Sequence, residues 1–246
     1  MKPLIRVTTL EKFRRFISGE YEYETEQNMM DCITQAFKGN EYTYIGTAFH
    51  AIVEGATDGN VRVPAGERTF LYYGKPKIEP VPCGRAFDIE GNKVIMDIAQ
   101  CKVALAYRNE FPNAFHEVRE YMELDDVVIT GCADMIDGFE LRDIKTKYSQ
   151  PDDKDYMNSA QWRWYMELFG VETFHFDLFV FDGYNKEKHG LDVRGIPLNR
   201  YNPPITCYCY PNMIEDNRYL LREFLKWMRF RDLMNYLPIY DKDNVK

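Results

Sequence analysis

Two aspartates and a lysine in the segment from Gly131 to Lys147, GCADMIDGFELRDIKTK, are the residues whose types and spacing best suit chemistry. Asp137-Gly138 is a two-residue hairpin signal between two β-rich runs. With that turn, Ile136 faces Phe139 and Asp134 faces Leu141. Side chains alternate along a strand with period two, so Asp143 and Lys145 fall on the face of Leu141. Asp134 and Asp143 become diagonal cross-strand neighbours, roughly 7–8 Å apart at Cα. Any turn of even parity preserves that arrangement, and an odd-length bulge would break it. Two carboxylates held this close repel unless a cation lies between them. Oxygen donors favour Mg²⁺ or Mn²⁺ over Zn²⁺. Such an ion polarises a phosphoryl oxygen and acidifies bound water. Lys145 beside it would orient or deprotonate that water, or steady charge developing on phosphate. D-x-K also occurs on ordinary exposed hairpins, so the segment alone defines a geometry rather than an activity.

The elements that must position these residues can be read from periodicity and breakers. The spacing predicts helices over residues 8–18, with Thr8 or Thr9 as cap, over 24–37, over 43–55 and over 94–110. Residues 59–91, rich in Gly and Pro, read as loops with a small hairpin. Strands are expected at 115–124, 127–136 and 139–147. A helix at 156–169 closes at Gly170 and is followed by a β-rich segment at 173–181. After a polar loop at 182–190, late strands are expected at 192–198 and 205–210, then a long amphipathic helix at about 212–236. This order predicts an α/β fold, a small mixed central β-sheet flanked by helices, built as a single domain over residues 1–246.

Composition narrows the functional classes. The 246 residues carry a formal net charge of −8, which argues against a protein that coats nucleic acid nonspecifically but leaves room for a local basic groove. No apolar run is long enough for a membrane span, and the N-terminus lacks a signal-peptide core, so a soluble cytoplasmic protein is expected. The six cysteines form no C-x-x-C pair and read as buried thiols. Cys207 and Cys209 alternate on an expected strand and would share a face, where metal binding competes with plain packing. No Walker-type phosphate loop is present, so a helicase or recombinase partner, where unwinding is needed, would be a separate chain.

The pattern G-x-A-D followed by D-I-K-T resembles the PD-(D/E)XK nuclease superfamily, specifically its RecB-like exonuclease branch. Upstream, Gly46-Thr47-Ala48-Phe49-His50 is similar to the G-x-x-x-H helix of that branch. Downstream, Gln161-Trp162-Arg163-Trp164-Tyr165 is similar to its Q-x-x-x-Y motif. The motifs run in the family's order from residue 46 to 170, about half the chain. The resemblance implies a restriction-endonuclease-like core and a Mg²⁺- or Mn²⁺-dependent deoxyribonuclease. Its expected mode is exonucleolytic, in DNA repair, recombination or phage replication. It implies that Asp134, Asp143 and the Ile144 backbone carbonyl hold metal, that His50 ligates the metal or organises its site, and that Lys145 acts on water. Gln161 would contact the active centre or substrate phosphate, with Tyr165 beside it. Some members hold an iron–sulfur cluster on one early cysteine and a late trio containing C-x-x-C. Cys32 fits the early position, but Cys207-Tyr208-Cys209 lacks the late spacing, and no cluster is expected.

Several residues keep two readings. Glu54 lies four residues after His50 on the same helix face and could join the site or simply pair with the imidazole. Tyr165 could touch substrate or pack. Glu117 and Glu123 read as solvent-facing charges. Arg218, Arg222, Lys226 and Arg229 line one face of the last helix, where a basic stripe suits phosphate tracking of single- or double-stranded DNA and equally suits a solvated surface. The absence of a base-reading motif points to backbone contact. Two other classes stand beside the deoxyribonuclease: a catalytically inactive nucleic-acid-binding or assembly subunit that retains the fold, and an RNA-directed nuclease.

Overall fold

The computed structural model describes residues 2–36, 38–55 and 61–242. Phe37, expected to end the second helix, and Gly59 and Asn60, expected to open the Gly/Pro-rich loop, lie outside the described residues.

The fold is α/β, with a mixed central sheet between two helical layers. Its middle strand is β10 (Thr173–Phe181), almost wholly buried. That run is nearly continuous in apolar residues because both faces of the strand are covered. Phe174, Phe176 and Leu178 enter one core, while Phe179 and Phe181 enter the other. β9 (Glu140–Lys147) runs parallel to β10 over its full length. β8 (Val128–Asp137) is antiparallel to β9, and β7 (Phe115–Glu123) is antiparallel to β8. A short β1 (Leu4–Arg6) runs parallel to the start of β8, and β11 (Leu198–Arg200) and β12 (Ile205–Tyr208) share the far edge of β10.

On one face, α1 (Val7–Ser18), α6 (Ala160–Phe169) and α8 (Met213–Phe230) pack around Leu10, Phe13, Trp164, Phe224 and Met228. On the other, α3 (Glu41–Glu54) and α4 (Ile98–Glu110) pack around Ile45, Phe49, Ala104 and Tyr107. α2 (Glu26–Thr34), capped by Thr25, leans on α1. Among the described residues no helix is long and apolar enough to cross a membrane.

Several boundaries differ from the sequence reading. α1 starts directly from β1 at Arg6, without a side-chain cap from Thr8 or Thr9. Its entry is set by the pairing of β1 with β8, which three residues cannot announce by periodicity. Residues 61–97, expected to be loops with a small hairpin and then a helix start, form β2 (Val61–Val63), β3 (Gly66–Tyr72), β4 (Lys75–Val81), β5 (Gly84–Ile89) and β6 (Asn92–Asp97). β3 and β4 make a two-stranded ribbon, and β2, β5 and β6 make a separate small sheet against α3. The helix expected from 94 begins only at Ile98, where Asp97 and Gln100 form a reciprocal capping box. The helix expected at 156–169 is broken in two. α5 (Asp153–Met157) ends at Asn158, and Ser159 caps α6 by accepting from Gln161 N. The polar loop at 182–190 contains a short helix, α7 (Lys186–His189). The last long helix stops at Phe230, with one further turn at Met234–Tyr236.

Candidate metal centre

The hairpin between β8 and β9 carries the two aspartates, but its register differs from the expected one. Asp137 pairs with Glu140, so the turn residues are Gly138 and Phe139. Gly138 has φ 60°, the left-handed region that a two-residue hairpin needs at its first central position when that residue is glycine. The shift is by an even number, so the parity of the hairpin is kept although its register moves by two.

Pairing of β8 with β9 ends at Met135 opposite Arg142. Further back along the same edge, β8 pairs with β1 through Val128–Thr130. Between those two partners the edge is open, and Asp134 stands at the fork. Its Oδ2 accepts the backbone N–H of Ile144 at 2.7 Å, so the carboxylate stands in for the next rung of the ladder. The alternation of β8 also fails here. Ala133 packs in the core of α1 and α6, whereas Met135, two residues on, packs in the core of α3 and α4. The partner position on β7 is Glu117, a non-glycine residue at φ 52°. Strain of that kind costs on the order of 1–3 kcal/mol and persists only where the surroundings impose it.

From the α6 side, Asp143 is 5 % exposed. Its Oδ1 accepts from Gln161 Nε2 at 2.8 Å and from Lys145 Nζ at 2.8 Å. Oδ2 lies 2.7 Å from Lys145 Nζ but is buried without a well-directed hydrogen bond. The break before α6 explains how Gln161 gets there: Ser159 as cap puts Gln161 in the first turn, at the end nearest β9. Burial, opposed by Lys145 and helped by the nearby Asp134 charge, raises the Asp143 carboxyl to about 6. Burial works against the Lys145 ammonium, but Asp143 and Asp134 outweigh it and hold its pKa above the usual lysine value.

From the α3 side, His50 places Nε2 2.9 Å from the Ile144 carbonyl oxygen and Nδ1 3.9 Å from Asp134 Oδ2. One donor atom each from His50, Glu117 and Asp134 lie within 4.8 Å of one another. Glu54 lies at the rim of this group. Its carboxyl is raised, first by burial and then by Glu117. Two adjoining cavities, about 360 and 850 Å³, share Thr8, Glu117 and Lys145. The smaller holds Asp134, Asp143 and Gln161, and the larger holds His50, Glu54 and Ile144.

The structure therefore brings together His50, Asp134, Asp143, Ile144, Lys145 and Gln161. Tyr165 is 4 % exposed and donates its hydroxyl to the Cys132 carbonyl at 2.9 Å, filling the open fork from the α6 side as a packing residue. The basic stripe of α8 is elsewhere. Arg218 pairs with Glu167, Lys226 with Glu223, and Arg229 lies 3.9 Å from Asp126. Arg222 borders a separate cleft shared with Glu123, Asp125 and Asp126. Cys207 is buried in the core, while Cys209 lies beyond the end of β12 and is exposed, so the two do not present a shared face.

Glu117 faces solvent, as its place on β7 predicts; what residue spacing does not give is that one of its oxygens also falls in the donor group of His50 and Asp134. Its rung position opposite Asp134 could have flagged it, but an ordinary extended strand would not aim the side chain there.

The donors present are three carboxylates, one carbonyl and one imidazole, a set suited to a hard divalent cation. The 2.9 Å contact of His50 Nε2 with the Ile144 carbonyl is a hydrogen bond in which the ring N–H donates, and it fixes the imidazole beside Asp134. The buried, undirected Oδ2 of Asp143 offers a further lone pair.

Close approach of α3 to β9 holds His50 in place. A Cβ at Gly46 would meet Thr146 Oγ1 at 3.0 Å. Gly46→Val should push the helix away from β9 and weaken Mn²⁺ binding by about tenfold, within the range for groups that orient metal ligands. Calorimetric titration checks this; affinity equal to wild type would show that Gly46 does not set the position of His50.

No family model and no curated protein matches this chain. Among solved structures, it is similar to a protein named SSO0001, at 15 % identity and a TM-score of 0.44, covering 92 % of this chain and 77 % of that one. It is also similar to a "Putative exonuclease" from Eubacterium rectale, at 12 % identity and a TM-score of 0.48, covering 99 % of this chain and 86 % of that one. Both likenesses are distant, and the architecture described above rests on this chain's own strand order and helical layers.

Proposed function

We propose that this chain is a Mg²⁺- or Mn²⁺-dependent nuclease of the RecB-like branch of the PD-(D/E)XK superfamily, acting on DNA phosphodiesters in the cytoplasm. The observation that carries the reading is the grouping of donor atoms of His50, Glu117 and Asp134 within 4.8 Å of one another at the fork between β8 and β9, with Ile144 bonded to both Asp134 and His50 and Asp143 and Lys145 in the adjoining cavity. The exonucleolytic mode, and a place in repair, recombination or phage replication, follow from the resemblance of the motifs alone.

In this reading Asp134, Asp143, His50 and the Ile144 carbonyl hold the cation, and Glu117 joins them from β7. A divalent ion bound there would polarise a phosphoryl oxygen and acidify its water. Asp143 is pinned by Gln161, so its carboxylate meets the site in one orientation. Lys145 is held protonated by Asp143 and Asp134. That suits donation of hydrogen bonds to the attacking water or to phosphate oxygens better than removal of a proton. The adjoining cavities provide room for a strand on the α3 side.

The test incubates the purified chain with end-labelled linear single- and double-stranded DNA, a closed circle and RNA, with Mg²⁺ or Mn²⁺. Metal-dependent shortening of linear DNA is expected. Cutting of the closed circle would remove the strict exonuclease assignment, and preference for RNA would move the substrate class. No cleavage of any substrate, with no calorimetric heat on Mn²⁺ addition, would leave the inactive subunit as the better reading.

A pH dependence follows from Asp143. Its proton must leave before the carboxylate can ligate, so with a carboxyl pKa of about 6, metal affinity should rise with pH up to about 6 and level off above it. Mn²⁺ affinity at pH 5 should be about tenfold weaker than at pH 7. Equal affinities at both values would separate Asp143 from the metal.

A further inference from the structure

The larger cavity beside α3 changes character along its length. At one end lie His50, Glu54, Glu117 and Lys145; at the other lie Tyr42, Thr43, Gly46, Thr47, Thr146 and Tyr148, none of them charged. The helix explains this order. Tyr42, Gly46, His50 and Glu54 recur every four residues, so they follow one face of α3. Tyr42 and His50 are separated by about 12 Å of helix rise. The aromatic end is built in advance. Tyr148 stacks on Phe181 at 5.7 Å between ring centroids and donates its hydroxyl to the Tyr42 carbonyl at 3.0 Å. The Tyr42 ring stands edge-on to Tyr148 at 4.8 Å and remains 41 % exposed. One end thus suits a phosphate held through a cation, and the other suits a flat, uncharged, aromatic group. A nucleotide has this polarity.

We propose that this cavity is a nucleobase subsite, with Tyr42 as its stacking wall, for the strand whose phosphate lies at Asp134 and His50. The inference rests on the nuclease reading for the position of that phosphate. Stacking on a tyrosine is tolerant of base identity because every base has a π-face. The subsite therefore holds the strand in place without selecting sequence. Tyr42 is a positioning residue, since it meets the base and not the reacting atoms.

The test uses the full chain and a labelled single-stranded DNA in which one abasic position is moved through the nucleotides flanking the cut. For wild type, one abasic position should lower kcat/KM by about tenfold, the low-to-middle range for loss of one base–aromatic stack. Tyr42→Ala should lose about the same on intact DNA, mostly in KM, and nothing further on the abasic strand. Tyr42→Phe should recover the wild-type response to the abasic position, because the ring is what stacks. Losses that multiply, or a Tyr42→Ala enzyme equal to wild type on intact DNA, would overturn the subsite. If wild type cuts no DNA, the same strands are compared by fluorescence anisotropy in the presence of Mn²⁺. Loss of affinity shared by Tyr42→Ala and the abasic strand would keep the subsite while the hydrolytic reading fails. Absence of that coupling would overturn the subsite too.

Discussion

Asp134→Asn is expected to lower phosphodiester cleavage about a thousandfold or more, equivalent to a barrier higher by roughly 4 kcal/mol, while leaving the fold intact. The substitution keeps the size of the side chain and an oxygen able to accept the Ile144 N–H, so the fork between β8 and β9 keeps its bridging hydrogen bond. What disappears is the negative charge facing His50 and Glu117. Steady-state cleavage of end-labelled DNA, with thermal melting as control, separates the two effects. Unchanged melting with lost cleavage is the expected pair of results. Cleavage at the wild-type rate would show that hydrolysis, where present, does not depend on this centre. Lys145→Ala should behave differently. It removes the cation next to a carboxylate that is 5 % exposed, so it should lose both activity and stability.

The largest stability effect is expected away from the chemistry, at Asp177. This β10 residue is 0 % exposed. It receives Arg142 of β9 at 3.0 Å, Arg200 of β11 at 2.7 Å and the Tyr107 hydroxyl of α4 at 2.9 Å. The four side chains tie three strands and a helix together behind Ile144, which is the register partner of Asp177. Asp177→Ala removes the buried partner shared by two arginines, each no more than 18 % exposed at the side chain, and leaves them only the more exposed carboxylates of Glu140 and Glu110. Breaking a buried ion pair from one side costs about 3–5 kcal/mol, a large share of the stability of most domains. Urea unfolding should show that loss as a lower midpoint. Tyr107→Phe, which removes one hydrogen bond, should cost about 1 kcal/mol. A loss below about 1 kcal/mol for Asp177→Ala would mean that the arginines find water or other partners when the carboxylate is absent.

Much of this molecule was legible in advance where the signal is local. The apolar spacing of α1, α3, α6 and α8 and the β-rich runs of β7 to β10 placed most of the central architecture. The hairpin followed from its Asp-Gly signal, one residue displaced. Between α3 and α4 the expected small hairpin is present as β3 and β4, but the sheet of β2, β5 and β6 was missed because such short strands carry little periodicity. β6 was absorbed into the helix that follows it for the same reason, although the Asp97–Gln100 capping box marked the boundary.

The sequence by itself determined which groups were available: two acids, a lysine, a histidine and a glutamine at intervals that strands and helices can converge. It also determined the even parity of the hairpin, because a two-residue turn imposes it whichever two residues are used. Tertiary structure decided the rest. β8 changes partner along one edge from β1 to β9, and Asp134 takes its place in the resulting gap. The alternation on which a parity argument depends stops there, so the bond from Asp134 to the Ile144 N–H, the second side of the site and the entry of Glu117 could not be counted from residue numbers. The left-handed backbone at Glu117 is unfavourable locally and is held by contacts distant in sequence. The same long-range packing brings His50 across from α3 and leaves the α8 arginines among acids. Local spacing specifies what a segment can present, and only the partners it meets across the fold decide where that presentation points.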